Sequence, residues 1–299
     1  MKVLSLGSLN LDHVYAVDHF VRGGETIASR GMNEFCGGKG LNQSVALAKA
    51  GAEVYHAGKI GPDGEVLRRR LEESGVDTAC TRTEAGVPTG HAIIQVDPKG
   101  QNCIIIHGGA NQEITPDFID EVLEKFEPGD LALFQNEISS LDYALEACAK
   151  KGLRVALNPS PMDDRLKSSP ALQYVTWFIL NEIEGFEITG EKEPDAICDT
   201  LTSRYPGCVV VLTLGKQGVV YWDGETRASH GIYNVPVVDT TAAGDTFAGY
   251  FLASTARGCD AKTALVLASK ASSIAVSRPG ASDSIPTLAE VEAFDAPMV

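Results

Sequence analysis

The chain contains no Cys-x-x-Cys pair. Its seven cysteines, Cys36, Cys80, Cys103, Cys148, Cys198, Cys208 and Cys259, are odd in number and scattered. That argues against a disulfide framework or a zinc ribbon, and suits a reduced, cytoplasmic protein with packing cysteines. The six histidines are equally dispersed, with no His-Glu-x-x-His helix. Apolar runs are short. After Lys2 only Val3 to Leu6 precede Gly7, which is too little for a secretory leader, and no stretch reaches the length of a membrane span. Asn42-Gln43-Ser44 fits a glycosylation sequon but is discounted without a leader. Basic residues are scarce: 25 Lys and Arg stand against 40 Asp and Glu, a net charge of −15. Such a surface repels nucleic acid and anionic membranes, so neither is an expected partner, although a local site can still bind a small anion.

The standard phosphate motifs are missing too. Gly38-Lys39 is followed by Gly40, and Asn33 stands where a P-loop needs its first glycine. No Gly-x-Gly-x-x-Gly follows a strand, so a dinucleotide fingerprint is unsupported. There are no repeats, low-complexity tracts or interdomain linkers.

What is present is a 299-residue chain, 44% hydrophobic, with 30 glycines. The pattern begins with a strand at 2–6 and extended pieces at 13–17 and 25–30. A glycine turn at 36–40 leads to a helix at 41–50. A strand at 53–57, a helix at 62–74 and a hairpin of 89–96 with 101–107 follow. Helix and strand then alternate: helices at 116–126, 140–151, 182–189 and 195–204, strands at 131–135, 154–158, 174–180 and 208–213. Two strands flank Asp223-Gly224, residues 233–238 read as extended, and apolar helices at 246–257 and 261–276 close the core. This order predicts one α/β domain over residues 1–299, with a mostly parallel sheet between helices. Residues 12–35 and 89–111 interrupt it and are expected to pair as a small separate sheet.

In an open α/β sheet, ligands bind beyond the carboxyl ends of the strands. Polar clusters fall there repeatedly: Asn10 and Asp12, Gln135-Asn136-Glu137, Asn181 to Glu184, Thr213 to Lys216, and Asp239 to Asp245. Any one could be a helix cap or turn; five on one edge point to a site. The last cluster, Val238-Asp239-Thr240-Thr241-Ala242-Ala243-Gly244-Asp245-Thr246-Phe247, is the focus. Small residues let a ligand approach the backbone, and a helix starting near Gly244 aims free amides and a positive dipole end at an anion. Asp245 in the same turn could align a hydroxyl and take its proton late in a transfer. The competing reading is a plain helix start capped by Asp239 and Asp245.

These residues resemble the PfkB carbohydrate kinase family. Phe35-Cys36-Gly37-Gly38-Lys39-Gly40-Leu41-Asn42-Gln43 is similar to its first Gly-Gly motif, and the stretch from Val238 to Phe247 to its second, with Asn181-x-x-Glu184 between. The resemblance implies a ribokinase-like three-layer α/β sandwich with a small β-sheet lid that often pairs two subunits into a homodimer. It implies transfer of the ATP γ-phosphoryl to a sugar hydroxyl, with D-ribose giving D-ribose 5-phosphate as the first expectation. The alternatives are a fructokinase-like or nucleoside kinase, or a non-catalytic sugar sensor, against which the retention of Asp245, Asn181 and Glu184 speaks. By resemblance Asp245 is the base, and the Ala242, Ala243 and Gly244 amides form the anion hole. Asn10, Asp12, Gly38, Lys39, Asn42 and Glu137 hold the sugar. Asn181, Thr213, Gly215 and Gly218 lie along the nucleotide, and Asn181 and Glu184 order the water shell of Mg²⁺. Asp239, Thr241, Ala275, Arg278, Gly280 and Ser284 surround a monovalent cation such as K⁺. This chain departs from the family at Leu41, where alanine is usual, at His91, where an apolar residue is usual, and at the bulky Ile105. Strand alternation would put Ala92 and Ile106 toward the sugar and turn His91 and Ile105 away.

Overall fold

The computed structural model describes all 299 residues. Its strands are β1 (Lys2–Leu6), β2 (Asn10–Ala16), β3 (Gly31–Gly37), β4 (Glu53–Ile60), β5 (Asp77–Thr83), β6 (Gly90–Val96), β7 (Asn102–His107), β8 (Leu131–Gln135), β9 (Arg154–Asn158), β10 (Trp177–Asn181), β11 (Val209–Thr213), β12 (Val219–Trp222) and β13 (Arg227–His230). Its helices are α1 (Lys39–Lys49), α2 (Glu65–Glu73), α3 (Pro116–Leu123), α4 (Leu141–Lys151), α5 (Asp164–Lys167), α6 (Glu182–Thr189), α7 (Pro194–Arg204), α8 (Ala243–Ala256), α9 (Ala261–Val276) and α10 (Leu288–Glu292).

Nine strands form the central sheet in the order β13-β12-β11-β10-β9-β8-β1-β4-β5. The strands from β5 to β11 run parallel, and β12 and β13 add an antiparallel edge. Strands covered on both faces read as near-continuous apolar runs, and Leu131–Gln135 is buried at every position, with Gln135 at its carboxyl end the one polar side chain. Alternation sends Val3, Leu131 and Leu133 to one face and Leu4, Leu6, Ala132 and Phe134 to the other. The first face packs against α1, α8 and α9, the second against α3, α4 and α7. The fold is therefore helix, sheet, helix.

The small sheet has the order β3-β2-β6-β7. Asp12 pairs with Phe35 and Ala92, and Ala92 with Ile106. Ala92 and Ile106 thus share the face of Asp12, while His91 and Ile105 lie on the opposite face, as alternation requires. There the His91 and His107 rings stand 5.0 Å apart, with His13 6.0 Å from His91.

Several expectations need correction. Residues 25–30 form no strand; the partner of β2 begins at Gly31 and runs through the first glycine of the Gly-Gly pair. Residues 233–238 belong to no strand beyond a single bridge, Tyr233 to Met298. Pro236 lacks the N–H a ladder needs, and Val237 and Val238 are exposed. Strand β5 was not foreseen, because its sequence Asp-Thr-Ala-Cys-Thr-Arg-Thr reads as polar; it is a sheet edge that needs one apolar face only. The short α10, closed by a Thr287–Glu290 capping box, was also missed. Helix α8 starts at Ala243, beside the start expected near Gly244 and three residues before the apolar span at 246–257.

Candidate active site

The carboxyl ends of β9, β10 and β11 meet the starts of α1 and α8. Between them lies a cavity of about 220 Å³ lined by Lys39, Asn158, Ser160, Asn181, Glu184, Thr213, Thr240, Ala242, Ala243, Gly244 and Asp245, among others. Three of the sequence-derived clusters therefore converge with Lys39 on one space, while Asn10, Asp12, Gly38, Asn42 and Glu137 stand outside its lining.

Ala242 is the N-cap of α8 and takes a left-handed conformation, φ 58°. For a residue with a Cβ that costs about 1–2 kcal/mol, and a small side chain keeps the cost low. The turn directs the first amides of α8 into the cavity. Of the three amides expected to form an anion hole, that of Ala243 donates to Thr240 O at 3.2 Å, whereas those of Ala242 and Gly244, and that of Asp245, donate to no backbone acceptor. A Cβ on Gly244 would meet nothing within 4 Å, so this side of the turn is open. Asp245 is 7% exposed. Its Oδ2 accepts from Asn42 Nδ2 at 3.1 Å and its Oδ1 from Gln43 Nε2 at 2.8 Å.

The first Gly-Gly stretch is shaped by close approach. A Cβ at Gly37 would overlap the Asp12 carboxylate, and one at Gly40 would overlap Gly7 and the Ser8 amide. Gly38 has φ 93° and a Cβ there would press on Ser8 O at 2.9 Å and Asn10 N at 3.0 Å. Three glycines let α1 begin against the β1–β2 connection, which brings Asn10, Asp12 and Lys39 together. Glu137 joins them: its carboxylate accepts from the Ser8 hydroxyl and from the Lys39 amide, the latter at 3.2 Å. Asn10 is fixed from behind by Asn111, whose Nδ2 donates to Asn10 Oδ1 at 2.8 Å.

Charge is concentrated here. Burial, followed by the neighbouring Glu137 charge, pushes the Asp12 carboxyl up to about 7. Burial also raises Glu137, outweighing the Lys39 charge and the Ser8 hydrogen bond. Burial alone would lower Lys39, but Asp245, Glu137 and Glu184 surround it, and together they hold its ammonium above the usual lysine range.

On the other side, Asn181 and Glu184 form a capping box at the start of α6. Asn181 Oδ1 accepts from the Ile183 and Glu184 amides at 2.9 Å, and Glu184 Oε2 accepts from Asn181 N at 3.1 Å. The box is structural, yet it leaves the Glu184 carboxylate on the cavity wall, where burial raises it. Thr213 also lines the cavity. Gly215 and Gly218 lie outside that lining, in the tight turn after β11, with φ 52° and 89°. Asp239 ties two loops together, accepting from Thr241 N at 2.9 Å and Gly280 N at 3.1 Å. Ser284 donates to Ala281 O at 2.8 Å and Arg278 pairs with Glu290 at 2.7 Å; the Ala275 carbonyl accepts from the Arg278 amide at 3.1 Å. Residues 239–241 and 275–284 thus form one loop cluster behind α8. No group of three or more His, Cys, Asp or Glu side chains is placed to hold a metal directly.

Ser8, Gln43, Asn111 and Asn158 support this site without having been singled out from the sequence. The available signals were position only: Gln43 follows Asn42 in the glycine motif, and Asn158 ends β9 at the same sheet edge as the other polar clusters.

Comparison with known proteins gives a consistent result. The family model "pfkB family carbohydrate kinase" matches residues 1–288. A ribokinase of Bacillus subtilis is 34% identical over 295 residues, covering 96% of this chain and 97% of that protein. Among solved structures, ribokinase of Cryptococcus neoformans in complex with ADP superposes with a TM-score of 0.84 at 32% identity, covering 98% of this chain and 99% of that one. Arabidopsis thaliana ribokinase complexed with ribose and ATP superposes with a TM-score of 0.86 at 29% identity, covering 98% and 97%. Fold, motifs and full-length similarity lead to one assignment: the chain belongs to the pfkB family of carbohydrate kinases.

Proposed function

We propose that this protein uses ATP to phosphorylate D-ribose, giving D-ribose 5-phosphate. The observation that carries the reading is the start of α8, where the Asp245 carboxylate and unbonded amides face one cavity with Lys39 and Glu184. Phosphoryl transfer needs little covalent help from the protein; it needs positioning and stabilisation of charge. The sugar is held by Asn10, Asp12, Gly38, Lys39, Asn42 and Glu137, whose carboxylates and amides suit a row of hydroxyls. Asp245 orients the attacking hydroxyl and accepts its proton. The amides at Ala242 and Gly244, joined by that of Asp245, face the charge on the migrating group, and that of Ala243 joins them by giving up its bond to Thr240 O. Asn181, Thr213, Gly215 and Gly218 lie along the nucleotide.

Glu184 fits an Mg²⁺ ion held through water: it is a buried carboxylate on the cavity wall, within the influence of Asp245, and gains from a nearby cation. When bound, that ion offsets the charge of the nucleotide phosphates. The loop cluster of Asp239, Thr241, Ala275, Arg278, Gly280 and Ser284 fits a monovalent cation such as K⁺, because its carbonyl-rich turns are fixed against each other by the Asp239 carboxylate. Such a cation steadies the turn that carries the amides.

The chain acts as one unit, residues 1–299, with the small sheet as lid. Phe35, Ile104, Ile105 and Ile106 are exposed on that sheet, and β3 and β7 are its two edge strands. This supports a homodimer formed through the lids. Seven free cysteines and an acidic surface support a cytoplasmic protein without nucleic-acid or membrane partners; no helix is long and apolar enough to cross a membrane. An ADP-release assay over pentoses, ketohexoses and nucleosides tests the substrate. Ribose is expected to give the highest kcat/KM, and faster turnover of fructose or a nucleoside would reject ribose while leaving the kinase assignment intact.

A further inference from the structure

Behind Asp245 lies a set of buried amides that the transfer chemistry does not itself require. Gln43 is fully buried and absent from the cavity lining. Its Nε2 donates to Asp245 Oδ1 at 2.8 Å and to Asn158 Oδ1 at 3.2 Å. Its Oε1 accepts from Gln135 Nε2 at 2.6 Å. Asn158 is oriented in turn, because its Nδ2 donates to the Ile179 carbonyl at 2.9 Å. The amide of Gln43 therefore has one allowed orientation. Turned over, its oxygen would face the Asp245 carboxylate and Asn158 Oδ1, and its nitrogen would face the Gln135 amino group.

Holding this arrangement has a cost. Gln135 is fully buried, and its Oε1 has no hydrogen-bond partner. A buried carbonyl left unpaired is unfavourable, so the network is arranged around its Asp245 end at the expense of its far end. Helix packing serves the same contact. Gly249 of α8 lies against α1, where a Cβ would overlap Ala46. That closeness lets consecutive residues of α1, Asn42 and Gln43, each hold one oxygen of Asp245.

We infer that Gln43 is a positioning residue for the base: a donor locked by Gln135 and Asn158 that fixes the Asp245 carboxylate in one rotamer as an acceptor. When the sugar hydroxyl takes over the Asn42 side of the carboxylate, Gln43 retains the other oxygen, so Asp245 does not swing toward Lys39. The inference rests on the reading of Asp245 as base.

The test compares Gln43→Leu, Gln43→Glu and Asp245→Asn, measuring kcat, the sugar KM and the pH profile of kcat, with sugar binding by calorimetry as the check on folding. Gln43→Leu should lose about 100-fold in kcat, the scale expected when a reacting group is misaligned, with KM changed less than about threefold. Gln43→Glu keeps the shape of the side chain. Its protonated form can still donate to Asp245, so it should regain activity as pH falls, which a purely structural role would not produce. Wild-type kcat and profile in both variants, or parallel loss of kcat and sugar binding with an unmoved profile, would overturn the inference. Turnover retained in Asp245→Asn would instead defeat the assignment of the base itself.

Discussion

Sugar capture should depend on pH through Asp12. In the free protein its carboxyl is pushed from an ordinary value of 3.8 up to about 7 by burial and by the charge of Glu137. Sugar hydroxyls donate hydrogen bonds, and the ionised carboxylate accepts them best, so binding favours loss of the proton. If only the ionised form binds, kcat/KM for the sugar should fall about 10-fold at pH 6 and about 100-fold at pH 5 relative to its plateau. The value of kcat at saturation should change far less over the same range. The sign for stability is opposite. Between 3.8 and about 7 the folded protein holds a proton that the unfolded chain has released, so raising pH through this window destabilises the unliganded fold. A displacement of about three pH units corresponds to an upper bound of about 4 kcal/mol. Saturating sugar, by supplying donors to the carboxylate, should remove much of that loss. The assay is kcat/KM from pH 5 to 8, together with titration calorimetry at pH 7 in two buffers of different ionisation enthalpy, which should report about half a proton released per sugar bound. Asp12→Asn cannot ionise; it should bind weakly and with no slope. A flat wild-type profile, or an Asp12→Asn profile with the wild-type slope, would refute the reasoning.

Asp245→Asn should lose on the order of 10²–10⁴-fold in kcat, the usual contribution of a positioned acid or base, while sugar binding measured by calorimetry persists. Gly37→Ala should raise the sugar KM strongly with little change in melting temperature, because its Cβ would displace the Asp12 carboxylate. Gly249→Ala should cost about 1–3 kcal/mol by overpacking α8 on α1, seen as a lower midpoint in urea unfolding. Activity should be low in buffer free of monovalent metal cations and restored by K⁺; no response to any such ion would remove that site. Ile105→Lys should yield monomers in light scattering if the lids pair, since Ile105 is exposed on β7, one of the two edge strands of the small sheet.

The layer order and the edge of the sheet that carries the site were readable because they depend on period and position. Buried parallel strands such as Leu131–Gln135 are apolar up to their last residue, and polar residues gather at their carboxyl ends. The turn at Ala242 to Asp245 was readable because small residues before an acid and an apolar helix define both a close approach and a dipole end. What failed depends on pairing. Strand β5 has a polar sequence and exists because β4 offers it an edge; residues 25–30 look extended, but the register of β2 selects 31–37 instead. The capping box of Asn181 and Glu184 shows the opposite limit. One residue pair serves a helix start and a cavity wall together, so a choice between the two readings was never available. Gln43 was out of reach of the sequence because its importance lies in Asn158 and Gln135, 115 residues and 92 residues away.

The join between the two sheets has a mechanical consequence. Only Gly7, Ser8 and Leu9 separate β1 from β2, and they are pinned: Ser8 to Glu137, Leu9 to Asn111 at 3.0 Å. The root of the small sheet is therefore tied to the main body on both sides of a three-residue link, and Asn10 and Asp12 lie on β2 beside that tied root, at the opposite end of the strand from the loop at 17–30.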